Sequence, residues 1–352
     1  MVVAVLAGAC SSSTTGGTAA SSTRLGTPSA VAPSSPSTVP ATGAFGVLVN
    51  RISDTTYTVS LVGIDGRVVA SQQASTPGAV SCANSAGAVV PLPVSTSNSR
   101  VYFMDAQGVV HFLAVNGDSG RATTVPIGPA RRSVFAVSPD DQRIAVVVVD
   151  FTSNGATTKL YVEDLNGGGN HLETFNDSGA YTLWATGWHG TNNLVVAKVP
   201  ACTQGGGPFS AGPQEFHVVD PATAIRRFTV GGPTCIVAGA PSLAGVVCES
   251  DVQASVVSWT GATIRSFSIQ GKAFAHLSPN GMLVAIASGN DTLIQESSRS
   301  FPLMQACGWI DATHVFSGGD TQRQPRVGDV TTGNLTPIEA QGDCAGRIPG
   351  GL

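Results

Sequence analysis

The chain has 352 residues, and its 42% apolar content is enough for a sizeable core. Only 11% of the residues are charged and the net charge is −4, which excludes the basic field that a nucleic-acid partner requires. The 42 glycines, with abundant Ser, Thr and Val, suit many short strands joined by tight turns, and Lys occurs only at Lys159, Lys198 and Lys272.

The first element is an apolar run, Met1–Ala9, reading MVVAVLAGA and ending in small residues before Cys10. It is too short to cross a bilayer, and no later run is long enough. It resembles the end of a bacterial lipoprotein signal peptide, in which a small-residue box precedes a Cys that is lipidated and becomes the mature N-terminus. Leu6 stands four residues before Cys10 where that pattern has Leu three before, and no Lys or Arg precedes the run. An upstream start would supply the missing basic segment. The resemblance implies lipidation at Cys10 and attachment to a membrane. The preference for Arg over Lys, with Gly, Ala and Val richness, is similar to that of proteins from GC-rich actinobacteria. Residues 11–43 are Ser, Thr, Gly, Ala and Pro with one charge, Arg24, and cannot bury a core. As a flexible tether they would span about 30 Å. The expected division is 1–10 signal remnant and lipidated Cys, 11–43 tether, 44–352 folded domain.

From Ala44 a four-strand unit recurs. Its clearest copy reads Ser133–Val137, Arg143–Phe151, Lys159–Glu163 and His171–Phe175, split by Ser138-Pro139-Asp140-Asp141 and by Asn166-Gly167-Gly168-Gly169. β-branched and aromatic residues bounded by Gly, Pro, Asn and Asp are what half-buried strands and their turns require. The third and outer strands are joined by turns such as Ile64-Asp65-Gly66, Asn116-Gly117-Asp118, Val219-Asp220-Pro221 and Gly328-Asp329-Val330. The inner and second strands are joined by Ser138-Pro139-Asp140-Asp141, echoed at Ser278-Pro279-Asn280-Gly281, or by Gly187-Trp188-His189, echoed at Gly308-Trp309-Ile310. A Ser-Pro-Asp-type turn before an apolar strand resembles the repeats of TolB-type and WD40-like β-propellers, over 44–352. The resemblance implies an all-β, single-propeller fold and is silent on activity. Counting units gives seven blades, with six or eight as alternatives. Full units start near Val80, Arg132, Thr182, Thr234, Lys272 and Met304. The first, Phe45–Gln73, lacks an inner strand, and Gly342–Ile348 is a spare segment that would supply it and close the ring.

Apart from Cys10 there are six cysteines, an even number without a CxxC pair, which favours disulfides over zinc. Strand direction maps all six to one face. Cys82, Cys235, Cys307 and Cys344 fall at starts of inner strands, Cys248 near the end of a second strand, and Cys202 in the long insertion 200–213. Cys235 and Cys248 flank a turn almost symmetrically. Cys307 and Cys344 become neighbours if the ring closes. Cys82 with Cys202 is the remainder, and a competing set pairs Cys202 with Cys235.

No catalytic set is recognisable. Gly117-Asp118-Ser119-Gly120 spells a serine-protease string, but its only upstream His is His111, and it matches the other hairpin turns. Asp164–Asn170 lacks the closing Glu and spacing of a calcium loop. The six His are scattered, and Trp188 and Trp309 share a repeat position that suits wedges between blades. Neither a metal nor a cofactor is expected. The expected role is a binding or scaffold module at the cell envelope, monomeric, with a protein or glycan partner and a lipid anchor. The alternative is a hydrolase or lyase at the channel mouth, which needs His276, Asp140, Asp343 and Glu249, or some of them, to converge.

Overall fold

In a computed structural model of the chain the described residues are 42–82, 87–152, 155–203, 215–250, 252–269, 271 and 274–352. Cys10, nearly all of the 11–43 tether and most of the 200–213 insertion lie outside them. Among the described residues the strands form seven four-stranded antiparallel sheets and one short two-stranded pair, and no helix is present.

Blade two comprises Val94–Thr96, Arg100–Met104, Val109–Ala114 and Ser119–Thr124. Blade three comprises Arg131–Val137, Arg143–Thr152, Gly155–Asp164 and Leu172–Gly179, and blade four Tyr181–His189, Asn193–Pro200, Glu215–Val219 and Arg226–Gly231. Blades five, six and seven run from inner strands Ile236–Val237, Phe274–Leu277 and Ala306–Trp309 to outer strands Thr263–Ser268, Arg299–Phe301 and Leu335–Pro337. Blade one alone departs from chain order. Its inner strand is Asp343–Ile348, hydrogen-bonded to Phe45–Arg51, which is followed by Thr56–Val62 and Val68–Ser75. The spare C-terminal segment therefore closes a seven-bladed β-propeller.

The core is divided as a ring requires. Seven apolar clusters each lie between two successive blades. The one that closes the circle sets Leu48 and Val62 of blade one against Ile310, Phe316, Val327 and Ile338 of blade seven. Strands near the axis are covered on both faces, so Arg143–Thr152 reads as a nearly continuous buried run rather than an alternation. Outer strands such as Leu172–Gly179 are mostly exposed and polar.

The two Ser-Pro turns are built alike. The Ser138 hydroxyl donates to Asp140 (2.6 Å) and accepts the Arg143 N–H (2.9 Å); Ser278 does the same with Asn280 (2.8 Å) and Leu283 (2.9 Å). The fourth turn residue has positive φ, Asp141 at 60° and Gly281 at 74°. A non-glycine pays steric strain there, and Asp141 is held by its buried carboxylate. That group accepts hydrogen bonds from Ser99 and from Tyr102 (2.8 Å), both in blade two. Trp188 and Trp309 act equivalently as wedges. Each donates its indole N–H to the preceding blade's inner strand two residues before the Ser-Pro turn, to Ala136 O (3.0 Å) and His276 O (2.8 Å).

One expected boundary is corrected. Blade two does not start near Val80, and Cys82 is not on an inner strand. Residues 76–82 and 87–93, the described parts of this connection, lie over blades three and four before blade two begins at Val94. Arg132 of blade three donates to Gly78 O, Val80 and Cys82 join the blade three–four core, and Gly87–Ala88 pairs with Cys202–Thr203. Val80, Cys82 and Val89 are apolar and buried, so this connection is a strap seated by hydrophobic burial.

Candidate functional site

In a propeller the outer-to-inner and second-to-third connections share one face, here the loop face, and the remaining turns form the opposite turn face. Three features meet on the loop face: the disulfides, the strap and a set of exposed apolar side chains.

The disulfides are Cys82–Cys202, Cys235–Cys248 and Cys307–Cys344, with Cα separations of 6.0, 4.8 and 5.8 Å. The competing Cys202–Cys235 pair does not form. Cys82–Cys202 fastens the strap to blade four, Cys235–Cys248 ties the first two strands of blade five, and Cys307–Cys344 ties blade seven to the closing strand.

The apolar set lies at or just before the start of the inner strand in four successive blades, with three of its members at one repeat position. Tyr181, Ile236 and Phe274 are the first residues of the inner strands of blades four, five and six, and Leu303 lies just before that of blade seven. Their exposures are 47, 48, 51 and 64%. Leu303 also sits at φ 56°, so a side chain disfavoured in that conformation is held out in solvent. At the same position blade one has exposed Asp343, and blade three has Arg131 in a bidentate pair with Asp150 (2.6 and 2.9 Å). The apolar arc is thus confined to half of the channel rim.

On the turn face, residues 349–352 pass the turns of three blades. Gly350 N–H donates to Ser97 O (2.7 Å), Gly351 lies beside Pro139, and Leu352 N–H donates to Trp188 O (2.7 Å). His189 Nδ1 contacts the Leu352 main-chain oxygen (2.6 Å), and the Leu352 side chain occupies the space a side chain at Gly187 would need.

His276, Asp140, Asp343 and Glu249 are not brought together. His276 is buried, its Nδ1 accepting the Ala240 N–H (3.4 Å) from blade five, and burial pulls its pKa down to about 4 against a backbone hydrogen bond at Ala306 that raises it. Asp140 is in a turn-face turn, whereas Glu249 is at the loop-face end of its strand and Asp343 is on blade one. Four other His each pair with a carboxylate of their own blade: His111 with Asp105 (2.8 Å), His171 with Glu163 (2.7 Å), His217 with Glu215 (2.8 Å) and His314 with Asp311 (2.9 Å). The Gly117-Asp118-Ser119-Gly120 string is a hairpin turn closed by Ala114 N–H to Asp118 O (2.8 Å). The Asp164–Asn170 loop is satisfied internally, Asn170 donating to the Asp164 carboxylate (2.8 Å). Among the described residues no His, Cys, Asp and Glu cluster is arranged to hold a metal, and no helix is long and apolar enough to cross a membrane.

No family model matches this chain. No curated protein matches it either. Among solved structures it is similar to a chain of the mitotic checkpoint complex, at 12% identity over 75% of this chain and 80% of that one, with a TM-score of 0.47. It is also similar to KlHsv2 with loop 6CD replaced by a Gly-Ser linker (13%, 86% and 99%, 0.45). A third is apo prolyl oligopeptidase B from Galerina marginata (12%, 81% and 47%, 0.42). At such identities and TM-scores nothing about activity or partners passes from these proteins to this chain.

The arc was missed in the sequence. Its signal is a large apolar residue at the inner-strand start of three consecutive repeats and three residues before that of the next, which looks like ordinary strand patterning until the blade starts are known.

Proposed function

We propose that the chain is a lipid-anchored binding module of the cell envelope that takes a protein partner on its loop face. The observation that carries this reading is the arc of Tyr181, Ile236, Phe274 and Leu303, exposed at or just before the inner-strand starts of four successive blades. Aliphatic and aromatic side chains held in water at matched positions suit an apolar protein surface better than a glycan. Three disulfides favour an oxidising, extracytoplasmic setting.

The test places a photo-crosslinking residue at Phe274 or Leu303 and, as turn-face controls, at Ile225 or Met282, each 65% exposed. In intact envelopes the loop-face positions should give one discrete adduct that is lost when Ile236 is also changed to Ser. Equal labelling from both faces, or an adduct indifferent to Ile236→Ser, overturns the assignment.

A further inference from the structure

The interface between blades one and two is apolar near the axis and changes character at its outer end. Its core contains Tyr57 and Ala70 of blade one and Phe103 and Leu113 of blade two. Side chains two residues apart on a strand share a face, as do residues directly opposite in register. Gln72, two residues after Ala70, therefore faces blade two. His111, two before Leu113, faces blade one and stacks on Phe103 with ring centroids 5.6 Å apart. Arg121 is opposite His111 and Ser119 opposite Leu113, so both join that face. These residues line an open cleft of about 430 Å³ between the two blades.

The hydrogen bonds there commit the one carboxylate of the cleft wall and leave a cationic donor, beside neutral amide and hydroxyl groups, for a ligand. Asp105 is the carboxylate in the cleft wall, and both of its oxygens are committed. Oδ1 accepts the N–H groups of Gln107 and Val109 (each 2.9 Å), and Oδ2 contacts His111 Nε2 (2.8 Å). Burial pushes the Asp105 pKa up, but the hydrogen bonds from His111, Val109 and Gln107 outweigh this and hold it below the ordinary carboxylate range. The same contact fixes the His111 ring. Arg121 donates to Thr124 Oγ1 (2.6 Å), and among the described residues no carboxylate lies within ion-pair distance of it. Another cleft, about 320 Å³ between blades four and five, has no cationic side chain in its lining and contains the carboxylate of Glu249.

We infer that the cleft between blades one and two is an oxyanion site, taking a phosphate or carboxylate group of a small ligand or polymer. Arg121 supplies the charge-assisted hydrogen bonds, and the Ser119 hydroxyl and Gln72 amide supply neutral ones. Asp105 is a positioning residue acting through His111. The site is on the side wall of the ring, so it is independent of the loop-face reading and stands or falls separately.

Calorimetric titration of the folded protein with inorganic phosphate, with acetate, and with chloride at equal ionic strength tests the assignment. Phosphate or acetate should bind saturably and chloride should not; the stronger of the two identifies the oxyanion type. Arg121→Gln should weaken binding about tenfold or more, as the loss of a charge-assisted hydrogen bond does. His111→Gln should weaken it by a smaller factor, and Arg226→Gln, on blade four, should leave it unchanged. All three changes are at exposed or half-exposed positions, and an unchanged melting temperature checks that each variant is folded. Absence of saturable binding by the unaltered protein, or equal binding by folded Arg121→Gln, overturns the inference.

Discussion

Deleting residues 342–352 should open the ring. The loss can be worked from the structure. The deletion removes Ile348, fully buried in the blade one–two core, and Leu352, buried in the blade four–five core. Burial of side chains of this size is worth about 2 kcal/mol each. It also removes Cys344 and with it the disulfide to Cys307, which closes a 37-residue separation. Chain entropy puts such a cross-link at about 4 kcal/mol. The sum, about 8 kcal/mol, is of the same size as the whole stability of an ordinary domain, roughly 5–15 kcal/mol. It omits the backbone edge of Phe45–Arg51, which loses its partner strand. The truncated protein should therefore be insoluble or unfolded at room temperature. The double change Cys307→Ser and Cys344→Ser keeps the strand and should cost only the disulfide share. Gly318 N–H, which donates to Cys307 Sγ (2.9 Å), keeps a hydroxyl acceptor in that variant. Urea unfolding followed by tryptophan fluorescence suits the measurement, because Trp184, Trp188, Trp259 and Trp309 are all buried. A truncated form that stays soluble and unfolds at the same urea concentration as the full chain would refute the closure argument.

Two further outcomes are expected. Expressed with an upstream signal, Cys10→Ala should move the protein from the membrane to the soluble fraction; equal membrane retention would remove the anchor. His276 is neutral in both states above its ordinary pKa of 6.5, and between 6.5 and about 4 only the unfolded chain takes up the proton. Stability is therefore fully present above 6.5 and falls by about 3 kcal/mol as pH drops to 4. His276→Asn, which keeps an acceptor for the Ala240 N–H, should flatten that part of the profile, and identical slopes for the two proteins would show that another group sets it.

What the sequence by itself determined is what short-range chemistry records. A Ser-Pro-Asp turn, an Asp-Gly hairpin or a β-branched run says locally where a strand starts and stops, so the blade count and the surplus strand at 342–348 could be read off the string. Cys235 and Cys248 were paired from their spacing about one turn, and Cys307 with Cys344 followed once closure was supposed. Trp188 and Trp309 announced themselves by recurring after glycine at one repeat position. The tertiary structure alone decided the rest. Residues 76–93 carry no turn signal that distinguishes a fresh inner strand from a strap, because Val80 and Cys82 are as apolar as a strand residue. Val80, Cys82 and Val89 dock on blades three and four, where they are buried against apolar residues of those blades. The rim arc and the donor cleft have the same origin. Each is assembled from side chains that sequence separates by tens of residues and that only the relative placement of the blades makes neighbours. A sequence encodes which face of a strand is apolar; what that face meets is set by packing the finished sheets into a ring.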